Sequence, residues 1–213
     1  SQTLRTGKIA IGANSTDIED SEDIHALTVQ YRAPSASDWS DDYLSELHYD
    51  SASGHWSTNF TPATTAELGY YDLRFVVNDT DDGTSDWSTY DDVLFVASNP
   101  PELTSYNLLN NDIYRTESSL ILVGVYDIED SNSSMSITPQ HRSPTGNWSN
   151  EYFETAWFNH TLGLWSANFT PATSAELGAY DIRVKVVDVD GGSSDWSVHL
   201  DNVTVKNNAP ELD

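Results

Sequence analysis

Hydrophobic and polar residues alternate along this chain with a period of two. Leu27, Val29 and Tyr31 fall on one side of an extended chain and Thr28 and Gln30 on the other. Trp56, Thr58 and Phe60 alternate likewise, and Tyr71, Leu73, Phe75 and Val77 make the longest run. Short alternating runs bounded by turn residues predict half-buried strands, and no stretch shows the 3.6-residue period of a helix. The pattern places strands at residues 8–14, 26–32, 55–60, 71–78 and 92–97.

The pattern is written twice. Residues 60–74 read FTPATTAELGYYDLR and residues 169–183 read FTPATSAELGAYDIR, with three differences at an offset of 109. Arg5-Thr6 matches Arg115-Thr116, Asp17-Ile18-Glu19-Asp20-Ser21 matches Asp127-Ile128-Glu129-Asp130-Ser131, and Asp86-Trp87-Ser88 matches Asp195-Trp196-Ser197. A period of this length is domain-sized, so the chain is expected to hold two domains, residues 1–100 and 101–208. Asn99-Pro100-Pro101-Glu102-Leu103 recurs as Asn208-Ala209-Pro210-Glu211-Leu212, so residues 209–213 read as the start of a further repeat or as a donor strand. The stretch 104–110 has no counterpart in the first copy, which is therefore expected to lack its opening strand. Tyr71 and Tyr180 follow Leu-Gly-x at the start of the longest strand, where a tyrosine corner ties a Greek-key crossover to its sheet. The expected fold class is all-β: two tandem immunoglobulin-like Greek-key β-sandwiches.

Charge narrows the partners. Asp and Glu total 34 against 9 Lys and Arg, a net charge of -25, so nucleic acid and anionic membranes would repel the chain and cations are its natural partners. There is no Cys, which removes disulfides and thiolate metal sites, and no apolar run long enough for membrane insertion in this fragment. Seven Trp, eleven Tyr and six Phe supply enough apolar area for two small cores. Most of the Trp residues, including Trp39, Trp56 and Trp87 and their matches Trp148, Trp165 and Trp196, read as packing residues. Trp157 has no match in the first copy and is the better candidate for exposure.

These motifs, Asp-x-Glu-Asp, Phe-Thr-Pro, Gly-x-Tyr-Asp and Asp-x-Asp-Gly with Asp-Trp shortly after, resemble the tandem Ig-like, PKD-like or cadherin-like repeats of large secreted surface proteins from archaea and bacteria. The resemblance covers nearly the whole chain. It implies an extracellular, cell-surface or secreted module that spaces, adheres or assembles, in some cases stiffened by calcium. The first copy departs from the pattern where Asp82 stands in place of Gly191, which leaves the geometry of its loop open.

Two acidic loops recur in each copy. Asp127, Glu129 and Asp130 match Asp17, Glu19 and Asp20, while Asp188 and Asp190 match Asp79 and Asp81. In the sandwich topology these are the B–C and F–G loops, which lie at one end of the domain, so carboxylates distant in sequence converge. Hard oxygen ligands on Gly-containing loops suit calcium, with Glu102 or the Asn99 carbonyl supplied by the segment that enters the second copy. The expected site is a calcium ion at the junction of the copies. The bland alternative is a solvated acidic loop.

Nothing points to catalysis. The acids are crowded and duplicated rather than set asymmetrically across a cleft, and the six His are scattered. Sequons at Asn14, Asn59, Asn78, Asn132, Asn147, Asn159, Asn168 and Asn202 are candidate glycosylation sites. The expected partners are other copies of the same repeat or chain, through strand exchange at the incomplete edge of the first copy, and surface glycans. A second reading is a carbohydrate-binding accessory domain of a secreted hydrolase, with Trp157, Phe158 and Trp165 as a stacking platform.

Overall fold

In the computed structural model, which describes residues 1–16 and 25–210, the chain is all-β and divides into two compact units, Ser1–Ser98 and Asn99–Asp213. Unit 1 contains β1 (Gln2–Leu4), β2 (Ile9–Ala13), β3 (Ala26–Arg32), β4 (His48–Asp50), β5 (His55–Phe60), β6 (Gly69–Asn78) and β7 (Ser88–Ala97). Unit 2 contains β8 (Glu102–Leu108), β9 (Asp112–Tyr114), β10 (Ser119–Tyr126), β11 (Ser136–Arg142), β12 (Trp157–Asn159), β13 (Leu164–Phe169), β14 (Gly178–Val187) and β15 (Ser197–Lys206).

Each unit is an immunoglobulin-like sandwich of two sheets. Unit 1 has sheets in the order β1-β7-β6-β3 and β2-β5-β4, and unit 2 has β11-β14-β15-β9 and β12-β13-β10-β8. All neighbours are antiparallel except β1 on β7 and β9 on β15, three-residue strands that run parallel to the last strand of their unit. Alternation along the strands puts one row of each sheet into the core. In unit 2 this row is unbroken along β14, with Tyr180, Ile182, Val184 and Val186 all fully buried. In unit 1 the row is sealed at Tyr71 and Leu73 but opens toward Phe75 and Val77, which are only half-buried.

The tyrosine corner is present in both copies. The Tyr71 hydroxyl donates to the Glu67 carbonyl at 2.8 Å and the Tyr180 hydroxyl to the Glu176 carbonyl at 2.9 Å. Just before each, Gly69 and Gly178 adopt φ of 128° and 127°, and a Cβ there would press on Pro34 or Pro144 at 3.1 Å. The positive φ favours glycine, and an added Cβ would also need the proline ring to give by a few tenths of an ångström.

The Trp residues divide between roles that the alternation alone does not separate. Trp165 is buried, with its indole N–H donating to the Asn132 carbonyl at 2.8 Å. Trp148 and Trp196 instead bracket the Arg183 guanidinium at 4.4 and 4.0 Å, as Trp39 and Trp87 bracket Arg74 at 4.5 and 4.0 Å. The outer face of the sheet that holds β6, and of the sheet that holds β14, is thus clamped by a cation between two aromatic faces.

Candidate functional site

The acidic residues of unit 2 occupy the two loops that sequence placed together. Asp127 ends the run of β10 and turns its loop: Oδ1 accepts from the Glu129 amide at 2.6 Å and from the Asp130 amide at 3.1 Å. Asp188 does the same after β14, accepting from the Gly192 amide at 2.8 Å. Both carboxylates are buried, each only 7 % exposed. A short Asp is suited to this, because its side chain reaches the backbone a few residues on and holds the turn.

Holding the turn uses one oxygen of Asp127. Its other oxygen, Oδ2, is buried without a hydrogen-bond partner, and so is Oδ2 of Asp130. Burial pushes the Asp130 carboxyl above the ordinary carboxylate range. The amide of Val189 opposes this shift, while the charges of Asp127, Asp190 and Asp188 reinforce it. Four acids of two loops therefore share one field. Leaving a buried carboxylate oxygen unpaired is costly, and a cation is the natural remedy.

The segment entering unit 2 reaches the same loops. Asn99 donates to Glu129 Oε1 through its backbone N–H at 3.2 Å and its side-chain amide at 2.6 Å. Glu129 thus tethers the entering segment. The Asn99 carbonyl lies over Gly192, where an added Cβ would stand 3.4 Å from it and would collide with Asp188 Oδ2. Only glycine leaves that space open. Glu102 is an exposed residue of β8, paired with Tyr126. Among the described residues, no three His, Cys, Asp or Glu side chains are grouped as a ready-made metal cage.

In unit 1, Asp79 accepts from the Asp81 and Gly83 amides at 2.9 and 2.7 Å, so the second acidic loop has the same turn. Asp82 takes a left-handed φ of 68° where Gly191 has 88°, which settles the geometry that the substitution left open. Aspartate is one of the few residues that tolerates this conformation. Asp17, Glu19 and Asp20 lie outside the described residues.

The proposed stacking platform is corrected. Trp157 and Phe158 are successive residues of β12 and point to opposite faces, while Trp165 is buried with Phe158 edge-on to it at 5.7 Å. Trp157 alone is exposed, at 39 %. Among the sequons, Asn14, Asn132 and Asn147 are exposed. Asn202 is committed inside unit 2, accepting from the Tyr106 hydroxyl at 2.6 Å, and Asn159 caps its own turn by accepting from the Thr161 and Leu162 amides.

No protein-family profile matches the chain, and no curated protein matches it significantly. Among solved structures it is similar to the titin domains Z1Z2 in complex with telethonin, at 15 % identity over 98 % of this chain and 93 % of that one, with a TM-score of 0.40. It is also similar to Rst D1-D2, at 12 % identity over 98 % and 95 %, TM-score 0.40. The fibronectin(III)-like modules of Clostridium thermocellum CbhA match at 15 % over 97 % and 89 %, TM-score 0.32. The fold assignment rests on the sheets themselves.

Proposed function

We propose that the chain is a non-catalytic spacing and adhesion module of an extracellular surface, and that the loop end of unit 2 binds calcium. The observation that carries the cation is the buried, unpaired Oδ2 of Asp127 beside that of Asp130, in a protein of net charge -25. Calcium accepts irregular shells of oxygen ligands, so the carboxylates of Asp127 and Asp130, the Asn99 carbonyl and water would complete it. Binding would offset the mutual repulsion that raises the Asp130 carboxyl, and would hold the segment at Asn99 against the loops of unit 2. The function is therefore mechanical, stiffening the entry to a repeat. Extracellular modules of this kind bind with Kd of about 10⁻⁴ to 10⁻³ M, matched to millimolar calcium.

Calorimetric titration of the intact chain with calcium chloride tests the site. One saturable event in that range, abolished in Asp127→Asn, is expected. A titration with no heat above dilution, at both neutral and mildly acidic pH, would reduce the cluster to solvated acid.

A further inference from the structure

The hairpin formed by β12 and β13 carries two side chains that face the same way. Trp157 and Asn159 are two residues apart on β12, so both stand on one side of the strand, about 7 Å apart along it. That side is the outer one, because Phe158 between them packs on the core. Ser166 lies between Trp157 and Leu122 in one row across the sheet, and it is fully buried although it too points outward. Its row neighbours therefore close over it, and Trp157 lies along the sheet with 39 % of its surface open to solvent.

Asn159 opens the turn into β13. Its Oδ1 accepts from the Thr161 amide at 3.0 Å and the Leu162 amide at 3.2 Å, while Nδ2 makes no hydrogen bond among the described residues. The turn itself does not require asparagine. In unit 1 the offset of 109 puts Asp50 at this position, where Oδ1 accepts from the Ala52 amide at 3.0 Å and Gly54 takes the left-handed conformation of Gly163. Unit 2 adds the amide nitrogen of Asn159, Thr161 in place of Ala52 to complete Asn-His-Thr, and Trp157 in place of His48. These changes come together, and the turn accounts for none of them. Thr161 is exposed, as recognition of the sequon needs. At two other sequons the nitrogen is already in use: Asn168 Nδ2 donates to Glu154 Oε2 at 3.2 Å and Asn59 Nδ2 to Ser45 Oγ at 3.5 Å.

We propose that Asn159 carries an N-linked glycan whose first sugar, an N-acetylhexosamine, stacks on the exposed face of Trp157. In the transfer, Nδ2 bonds to C1 of the reducing-end sugar of a lipid-diphosphate-linked oligosaccharide. The bond from C1 to the diphosphate oxygen breaks, the lipid diphosphate leaves with the electron pair, and Nδ2 gives up one of its two protons. Oδ1 is untouched, so the modified residue still holds its turn. The C–H face of a sugar ring is apolar, and an indole on the same side of the strand gives it a flat surface to bury. The glycan also shields β12, which is the edge strand of its sheet. The inference rests on the extracellular placement proposed above and is independent of calcium.

The test uses the intact chain secreted from a eukaryotic cell line, with each glycan trimmed to its first N-acetylglucosamine and the sequons mapped by mass spectrometry. Expected are a modified Asn159 and nuclear Overhauser contacts between the acetyl methyl group and the Trp157 indole. Unit 2 then melts about 4 °C above the Asn159→Asp chain, which keeps the turn as Asp50 does. In Trp157→Ala the contacts vanish and the same comparison gives less than about 1 °C. An unmodified Asn159 beside a modified Asn132 or Asn147 overturns the proposal alone, whereas a chain bare at every sequon overturns it and counts against the extracellular placement as well. A modified Asn159 whose melting shift is absent, or survives in Trp157→Ala, also overturns it.

Discussion

The Tyr180 hydroxyl donates to the carbonyl of Glu176, four residues upstream, at 2.9 Å, with its ring fully buried. Burial pushes the phenol up to about 12, so it remains a donor across the physiological range. Removing the hydroxyl leaves the carbonyl without this donor, and Tyr180→Phe is expected to destabilise unit 2 by about 1–2 kcal/mol. Denaturant unfolding of the variant checks this. Tyr71→Phe should act equally on unit 1, since its bond to Glu67 is 2.8 Å.

His141 is the counterpart of Tyr31 and is buried, stacked on Tyr152 at 4.5 Å with Phe169 and Tyr180 beside it. Burial holds its pKa down at about 4, so the fold keeps it neutral. The unfolded chain takes up a proton below about 6.5, which favours unfolding as pH falls. Stability from this group is complete above about pH 6.5 and is lost between there and pH 4, by up to about 3 kcal/mol. His141→Tyr, which installs the first copy's residue, should flatten that part of the pH profile of unit 2 melting.

Arg183 lies between the faces of Trp148 and Trp196, and its Nε and Nη2 both donate to Gln140 Oε1, at 2.9 and 2.6 Å. A planar guanidinium is needed for stacking on both sides, and an ammonium of equal charge cannot replace it. Arg183→Lys is expected to cost about 1 kcal/mol, because the contacts are partly exposed. An unchanged denaturation midpoint would show that charge alone matters there.

Much of this fold was legible because its rules are local. The strands expected at residues 26–32 and 55–60 are β3 and β5 residue for residue, and the corner tyrosines follow from a four-residue neighbourhood. The three-residue strands β1, β4, β9 and β12 were not anticipated, since so few residues show no period. The Arg–Trp clamps also escaped, because each gathers side chains from three separate segments. At the candidate site, convergence of the two acidic loops followed from topology. The commitment of Glu129 to Asn99 did not, because a carboxylate's choice between a cation and a nearby amide is decided by how the loop turns.

Small-angle scattering of the intact chain at about 0.15 M salt, in millimolar calcium and then in EDTA, tests the central claim most directly, since at that salt surface charge is screened beyond about 8 Å. If calcium seats the segment at Asn99 on the loops carrying Asp127 and Asp188, the maximum dimension is larger and its distribution narrower with calcium, and Asp127→Asn removes the difference. Superimposable curves in calcium and EDTA would contradict a calcium-stiffened spacer.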